Sequence, residues 1–158
     1  MDKIISEAIM REFINKIRMA IEEAHENGEF RGVVYFCDFP RGCCGLASDL
    51  IGHYLLEQGI ESEYVCGGYA KGDWDNSQTH AWVRLADGTI IDITGDQFRL
   101  KKDFLYYDKP VYIGPMDEFH MLFEEDFCHP SARIDEYEGV GADTLMQIYS
   151  VLDKYLRK

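Results

Sequence analysis

Ile4, Ile5, Ala8, Ile9, Phe13, Ile17, Ala20 and Ile21 recur at helical spacing, with Glu, Lys and Arg in most of the positions between them. Asn27-Gly28 offers the stop, so the pattern predicts a long first helix with one face on a core. The apolar run from Val33 to Phe36 predicts a short strand. From Cys44 onward, Leu46, Ala47, Leu50, Ile51, Tyr54 and Leu55 predict a buried helix closed by Gly59. Tyr64 to Tyr69, Thr79 to Leu85, Thr89 to Ile93 and Val111 to Ile113 read as strands. Lys71 to Gln78 is polar around Asp73-Trp-Asp-Asn76 and predicts a loop. Lys101 to Asp108 carries no clear element, and Phe119 to Glu138 mixes Phe, His and acids without a period. Asp143 is the expected cap of a last helix carrying Leu145, Ile148, Tyr149, Leu152, Tyr155 and Leu156. Helices at both ends with strands between them predict an α+β fold with an antiparallel sheet, one domain over residues 1–158.

Composition narrows the partners more than the fold. With 46% hydrophobic and 13% aromatic residues, the 158-residue chain can bury a proper core and is not disordered throughout. Twenty-nine acidic against 16 basic residues give a net charge of -13, which argues against nucleic acid or an anionic membrane surface as the main partner. The charge allows a basic partner and serves plain solubility equally well; the expected protein or peptide substrate rests on the candidate cysteine chemistry and not on the charge. The five cysteines, Cys37, Cys43, Cys44, Cys66 and Cys128, form neither a disulfide framework nor a zinc template. No cofactor or metal is expected, and a reducing compartment is. The charged amphipathic start, Met1-Asp-Lys-Ile-Ile-Ser-Glu7, is unlike a signal peptide, and no apolar run reaches membrane-spanning length. A cytoplasmic location is the expectation; an effector exported without a cleaved signal reads the same way. Oligomeric state leaves no trace in the pattern.

Candidate chemistry lies in three places. Cys44 sits in Phe39-Pro-Arg-Gly-Cys-Cys-Gly45, directly before the second helical pattern; His80 follows in Thr79-His-Ala-Trp-Val83 and Asp92 in Ile90-Ile-Asp-Ile-Thr94. A helix N-terminus favours a thiolate through its dipole and free N–H groups, and a nearby imidazolium favours it further. Gly42 and Gly45 permit a tight turn and a close approach by substrate, with the Cys44 amide as an oxyanion donor. The hairpin sets a condition on the pair. A two-residue turn at Asp87-Gly88 would put His80 and Asp92 on opposite faces, because side chains alternate along a strand. A three-residue loop, Ala86-Asp87-Gly88, sets His80 opposite Thr94 and Trp82 opposite Asp92, so that His80 and Asp92 share a face as diagonal neighbours. Gly88 stands where the common three-residue hairpin needs a left-handed residue. The trio therefore predicts that turn.

Cysteine, histidine and aspartate in this order resemble the transglutaminase-like branch of the papain-like cysteine enzymes. The likeness rests on Cys44-Gly45, on His80-Ala-Trp82 and on Asp92 within Ile90-Ile-Asp-Ile93, and covers roughly residues 36–98. Small bacterial papain-fold proteins, some of them toxin or effector domains, share the look of the cysteine segment and of Ile91-Asp-Ile-Thr-Gly-Asp-Gln-Phe98. The resemblance implies a catalytic helix packed on an antiparallel sheet, and a thiol nucleophile at Cys44 with His80 and Asp92 completing a triad. It implies amide-bond chemistry through a thioester, as a peptidase, amidase or deamidase. A transglutaminase or acyltransferase with an amine acceptor, and a binding module that keeps the fold without catalysis, stand as alternatives. Papain-like members carry an upstream glutamine as second oxyanion donor, whereas no glutamine precedes Cys44 here; Gln97 is a substitute from the other side.

Competing readings attach to several residues. Cys43 is a rival nucleophile or a small core residue. Asp96 is a second candidate for the acid, or a turn residue. Trp82 is a wall of the site or a substrate clamp. His53 reads as a partly exposed helix residue. His120 and His129, near Cys128, have spacing that fits no metal-ligand pattern.

Overall fold

The computed structural model of the protein describes residues 3–71 and 78–157, with side chains from residue 7 onward except at position 140. The loop expected around Trp74 and the side chains of Ile4 and Ile5 lie outside the described residues. Helix α1, Lys3–Glu26, buries Met10, Ile14, Ile17, Ala20, Ile21 and Ala24, while Ile9 is 57% exposed. The buried stripe steps by four and three residues from Met10. It therefore bypasses Ala8 and Ile9, which the apolar count had placed on the core face. Phe13 packs only at its margin.

The strand expected at Val33–Phe36 is absent. Phe30, Val33, Phe36 and Phe39 are buried at every third position, and the N–H groups of Val33 and Phe36 bond back to the carbonyls of Phe30 and Val33. Tyr35 has φ 65°, which no strand accommodates. The segment is a wound connection feeding helix α2, Cys44–Glu57. Helix α2 ends in paired bonds from Gly59 to Leu56 and from Ile60 to Leu55, the Schellman closure expected of Gly59.

Five strands form one antiparallel sheet in the order β4-β3-β2-β1-β5, from β1 (Glu63–Tyr69), β2 (Thr79–Arg84), β3 (Ile90–Asp92), β4 (Tyr112–Gly114) and β5 (Phe123–Pro130). With α3, Val140–Leu156, the described residues make an α+β fold of three α-helices and this sheet. Gly139 stands at the N-cap of α3, and the expected cap Asp143 lies within its first turn. Strand β5 had no counterpart in the pattern. From Glu124 to Pro130 it is exposed throughout, so apolar alternation never develops.

Side-chain alternation divides the interior into two layers. Val83, Ile91, Ile93 and Ile113 face α1, α2 and α3; Val65, Trp82 and Ile90 face an aromatic layer of Phe98, Phe104, Tyr107, Phe119 and Phe123. The hairpin has the three-residue loop. Val83 pairs with Ile91 and Arg84 with Ile90, Leu85 N–H donates to Thr89 O at 2.8 Å, and Gly88 has φ 92°. No helix of the described residues is long and apolar enough to cross a membrane.

Arg18 ties α1 to the chain beyond β3. It is 6% exposed; Nη1 donates to Ile93 O at 2.6 Å, to Pro110 O at 3.1 Å and to Asp96 Oδ1 at 2.9 Å, and Nη2 donates to Asp96 Oδ2 at 2.8 Å. Removing one partner of such a pair leaves a buried charge uncompensated. Arg18→Met is expected to lower stability by about 3–5 kcal/mol in urea unfolding, and Arg18→Met/Asp96→Asn by distinctly less. Equal losses in the two variants would refute the clamp.

Candidate active site

Cys44 is the first residue of α2, so its own N–H lies among those the helix leaves free. Gly42, at φ 71°, turns the chain two residues earlier, in a conformation that a side chain would strain. The two adjacent thiols meet opposite surroundings. Cys43 is fully buried and its Sγ donates to Arg41 O at 3.3 Å. Burial pushes its thiol up to about 12. Cys44 is half-buried, and the His80 side chain and the Ala81 N–H lie close enough to act on its sulfur. Burial opposes the Cys44 thiolate, but the His80 bond and charge together with the Ala81 N–H outweigh it and hold the thiol below its ordinary value.

His80 Nε2 lies 2.7 Å from Asp92 Oδ2, which leaves Nδ1 for the sulfur. The three-residue turn has brought both side chains to the aromatic face. Both are sealed from solvent, His80 at 0% and Asp92 at 2% exposure, with Phe98, Phe119 and Phe123 around the imidazole. Burial disfavours the imidazolium, yet Asp92 and then Cys44 overcome it and raise His80 to about 10. Burial likewise opposes the Asp92 carboxylate, and His80 and His120 override it, holding the acid far below the usual carboxylate range. Asp92 Oδ1 accepts the Thr94 N–H at 3.0 Å.

Gln97 lies in the 3-10 turn Gly95–Phe98. Its Nε2 donates to Thr94 O at 3.0 Å and sits 3.5 Å from His80 Nδ1, on the cysteine side of the ring. Gly45 lies under the Tyr64 hydroxyl, which would stand 3.3 Å from a Cβ at that position. Trp82 is 2% exposed and packs edge-on against His120, so it is a wall of the site and is closed to substrate. Asp96, the rival acid, is committed to Arg18. His53 is buried, not partly exposed, and its Nδ1 accepts the Ile134 N–H at 3.0 Å.

His120 is the residue the sequence reading missed. It belongs to the site and not with Cys128 and His129, which lie exposed on β5. At 0% exposure, His120 places Nε2 at 2.7 Å from Asp92 Oδ2 and Nδ1 at 2.6 Å from Asp117 Oδ1. Asp117-x-x-His120 is an i, i+3 spacing suited to a short turn, and this was the available clue. Among the described residues, His80, Asp92 and His120 bring three ligand-type atoms within 4.8 Å of one another. The Nε2 atoms stand at hydrogen-bond distance from the shared oxygen, so protons suffice to join the three groups.

The arrangement sets a thiol held below its ordinary value at a helix start, an imidazole held above its own against it and a buried carboxylate behind. Such a group can attack an acyl carbon and return a proton to what leaves. Comparison with known protein families, curated proteins and solved structures found no match to this chain.

Proposed function

We propose that the protein is a cysteine-dependent acyl-transfer enzyme that cleaves or exchanges an amide bond, on a papain-like, transglutaminase-like core. Cys44 at the start of α2, beside a His80 that is hydrogen-bonded to the buried Asp92, carries this reading. The Cys44 thiolate adds to the amide carbon, forming a C–S bond and an oxyanion. The Cys44 N–H faces that oxyanion as one donor, and the Gln97 side-chain amide is the candidate for the other. As the C–N bond breaks, His80 Nδ1–H passes its proton to the departing amine, leaving a thioester. Water then attacks while His80 takes its proton, the C–S bond breaks, and the acid leaves. An amine in place of water gives transfer. Asp92 keeps the imidazole ring oriented and its charged form stable.

Water is the simpler acceptor, since it needs no second binding site for an amine. A protein or peptide is the substrate class we assign, since it carries an amide bond at every residue for such a thiol to attack. The chemistry assigned to these residues draws on no cofactor.

At about pH 6, Cys44 is expected to react with iodoacetamide roughly tenfold faster than a model thiol, and His80→Ala to abolish the advantage. Rates equal to the model thiol in both proteins would sink the catalytic reading. Peptide mapping separates the neighbours: Cys43→Ser is expected to keep the fast-reacting site and Cys44→Ser to remove it. Fast labelling that survives Cys44→Ser would move the nucleophile elsewhere.

A further inference from the structure

The Cys44–His80–Asp92 run does not end at Asp92. Asp92 Oδ2 accepts from His80 Nε2 and from His120 Nε2, each at 2.7 Å. On its far side, His120 Nδ1 stands 2.6 Å from Asp117 Oδ1. An ionised carboxylate only accepts hydrogen bonds, so a ring held between two carboxylates must carry protons on both nitrogens. Asp117 is itself fixed by the His120 N–H at 2.8 Å and by the Tyr107 hydroxyl at 3.1 Å. A buried histidine that merely filled the aromatic layer would need neither acid.

We propose that Asp117 and His120 extend the catalytic run into a chain of five alternating charges, with His120 a positioning residue that shares Asp92 Oδ2 with His80. The proposal rests on the acyl-transfer reading of Cys44. Its content is a division of labour on one oxygen. With Asp92 facing His80 alone, the full carboxylate charge would hold the His80 proton, and surrendering that proton to a leaving amine would be harder. His120 draws part of the charge to itself. It also locks the carboxylate from a second direction, leaving Asp92 little freedom to rotate away from His80.

The ionisable groups facing His120 are few. Asp92 approaches from β3, His80 from β2 with ring centroids 6.2 Å apart, and Asp117 from the preceding turn. The rings of Tyr107 and Tyr112 flank it, with the Lys109 ammonium lying over both of them. Burial opposes the charged ring, and Asp117 and Asp92 outweigh it, raising the pKa of His120.

The test is the pH profile of Cys44 alkylation in the full chain, where one inflection reports the thiol and a second reports His80. Glutamine at 120 can keep a donor toward Asp92 while losing the charge. His120→Gln is expected to move the His80 inflection upward by on the order of one pH unit, since a positive charge on a ring 6.2 Å from that of His80 has gone. An unmoved His80 inflection with only a lower melting temperature would reduce His120 to a structural residue and overturn the proposal. A wild-type profile with a single inflection at an ordinary thiol value would overturn the acyl-transfer reading and the relay together. Nitrogen NMR of the wild-type imidazoles decides the matter without any variant. Both ring nitrogens of His120 are expected to be protonated through neutral pH. A neutral His120 beside a reactive Cys44 would sink the relay alone.

Discussion

A carboxylate with 2% exposure is the constraint around which this end of the molecule is arranged. Taking Asp92 out of water costs several kcal/mol, and the cost is offset only if its oxygens are met by donors and opposite charge. Two imidazoles and the Thr94 N–H supply them. The aromatic layer keeps water out and so strengthens every interaction inside it. Asp92 thereby holds the His80 imidazole well above its ordinary value, and the lowering of the Cys44 thiol rests on that neighbour.

The rest of the fold holds these groups in place. The helices and the aromatic layer grip opposite faces of the same sheet, and β2 and β3 pass between them. Arg18 reaches from α1 to the Ile93 carbonyl, immediately after Asp92, and to Asp96 at the head of the turn bearing Gln97. The first helix is therefore fastened to the back of the site through one guanidinium. Asp92 and Asp96 differ in position: one acid faces imidazoles, the other faces arginine.

Much of this was legible in the sequence wherever a local rule governed it. Gly88, and the shared face that a His80–Asp92 pair requires, pointed to the length of the hairpin loop, because strand alternation admits only two choices. Helix α2 and its closing glycine followed from apolar spacing. The failures share a physical origin in contacts between distant segments. Strand β5 is defined by pairing with β1 and not by burial, so its exposed residues carry no period. In α1 the apolar count weighted Ile9, although the stripe actually buried runs through Met10 and Ile14. Arg18 was visible as a long cation beside Ile17 in that stripe, but its acid lies 78 residues away. His120 meets Asp92 across 28 residues, a partnership that no sequence period encodes.

Hairpin tips are ordinarily where a chain best tolerates an added or missing residue, since few contacts depend on them. The Ala86-Asp87-Gly88 tip is solvent-exposed at all three residues, yet it is not free in this way. Loss of one residue there, with the strands otherwise kept, would rotate the pairing by half a pleat and send His80 and Asp92 to opposite sides of the sheet. The length of a small surface loop thus acts as a hidden coordinate of the chemistry. A variant of this chain can match it at Cys44, His80 and Asp92 and still fail to bring the three together, for a reason written only in how many residues separate them.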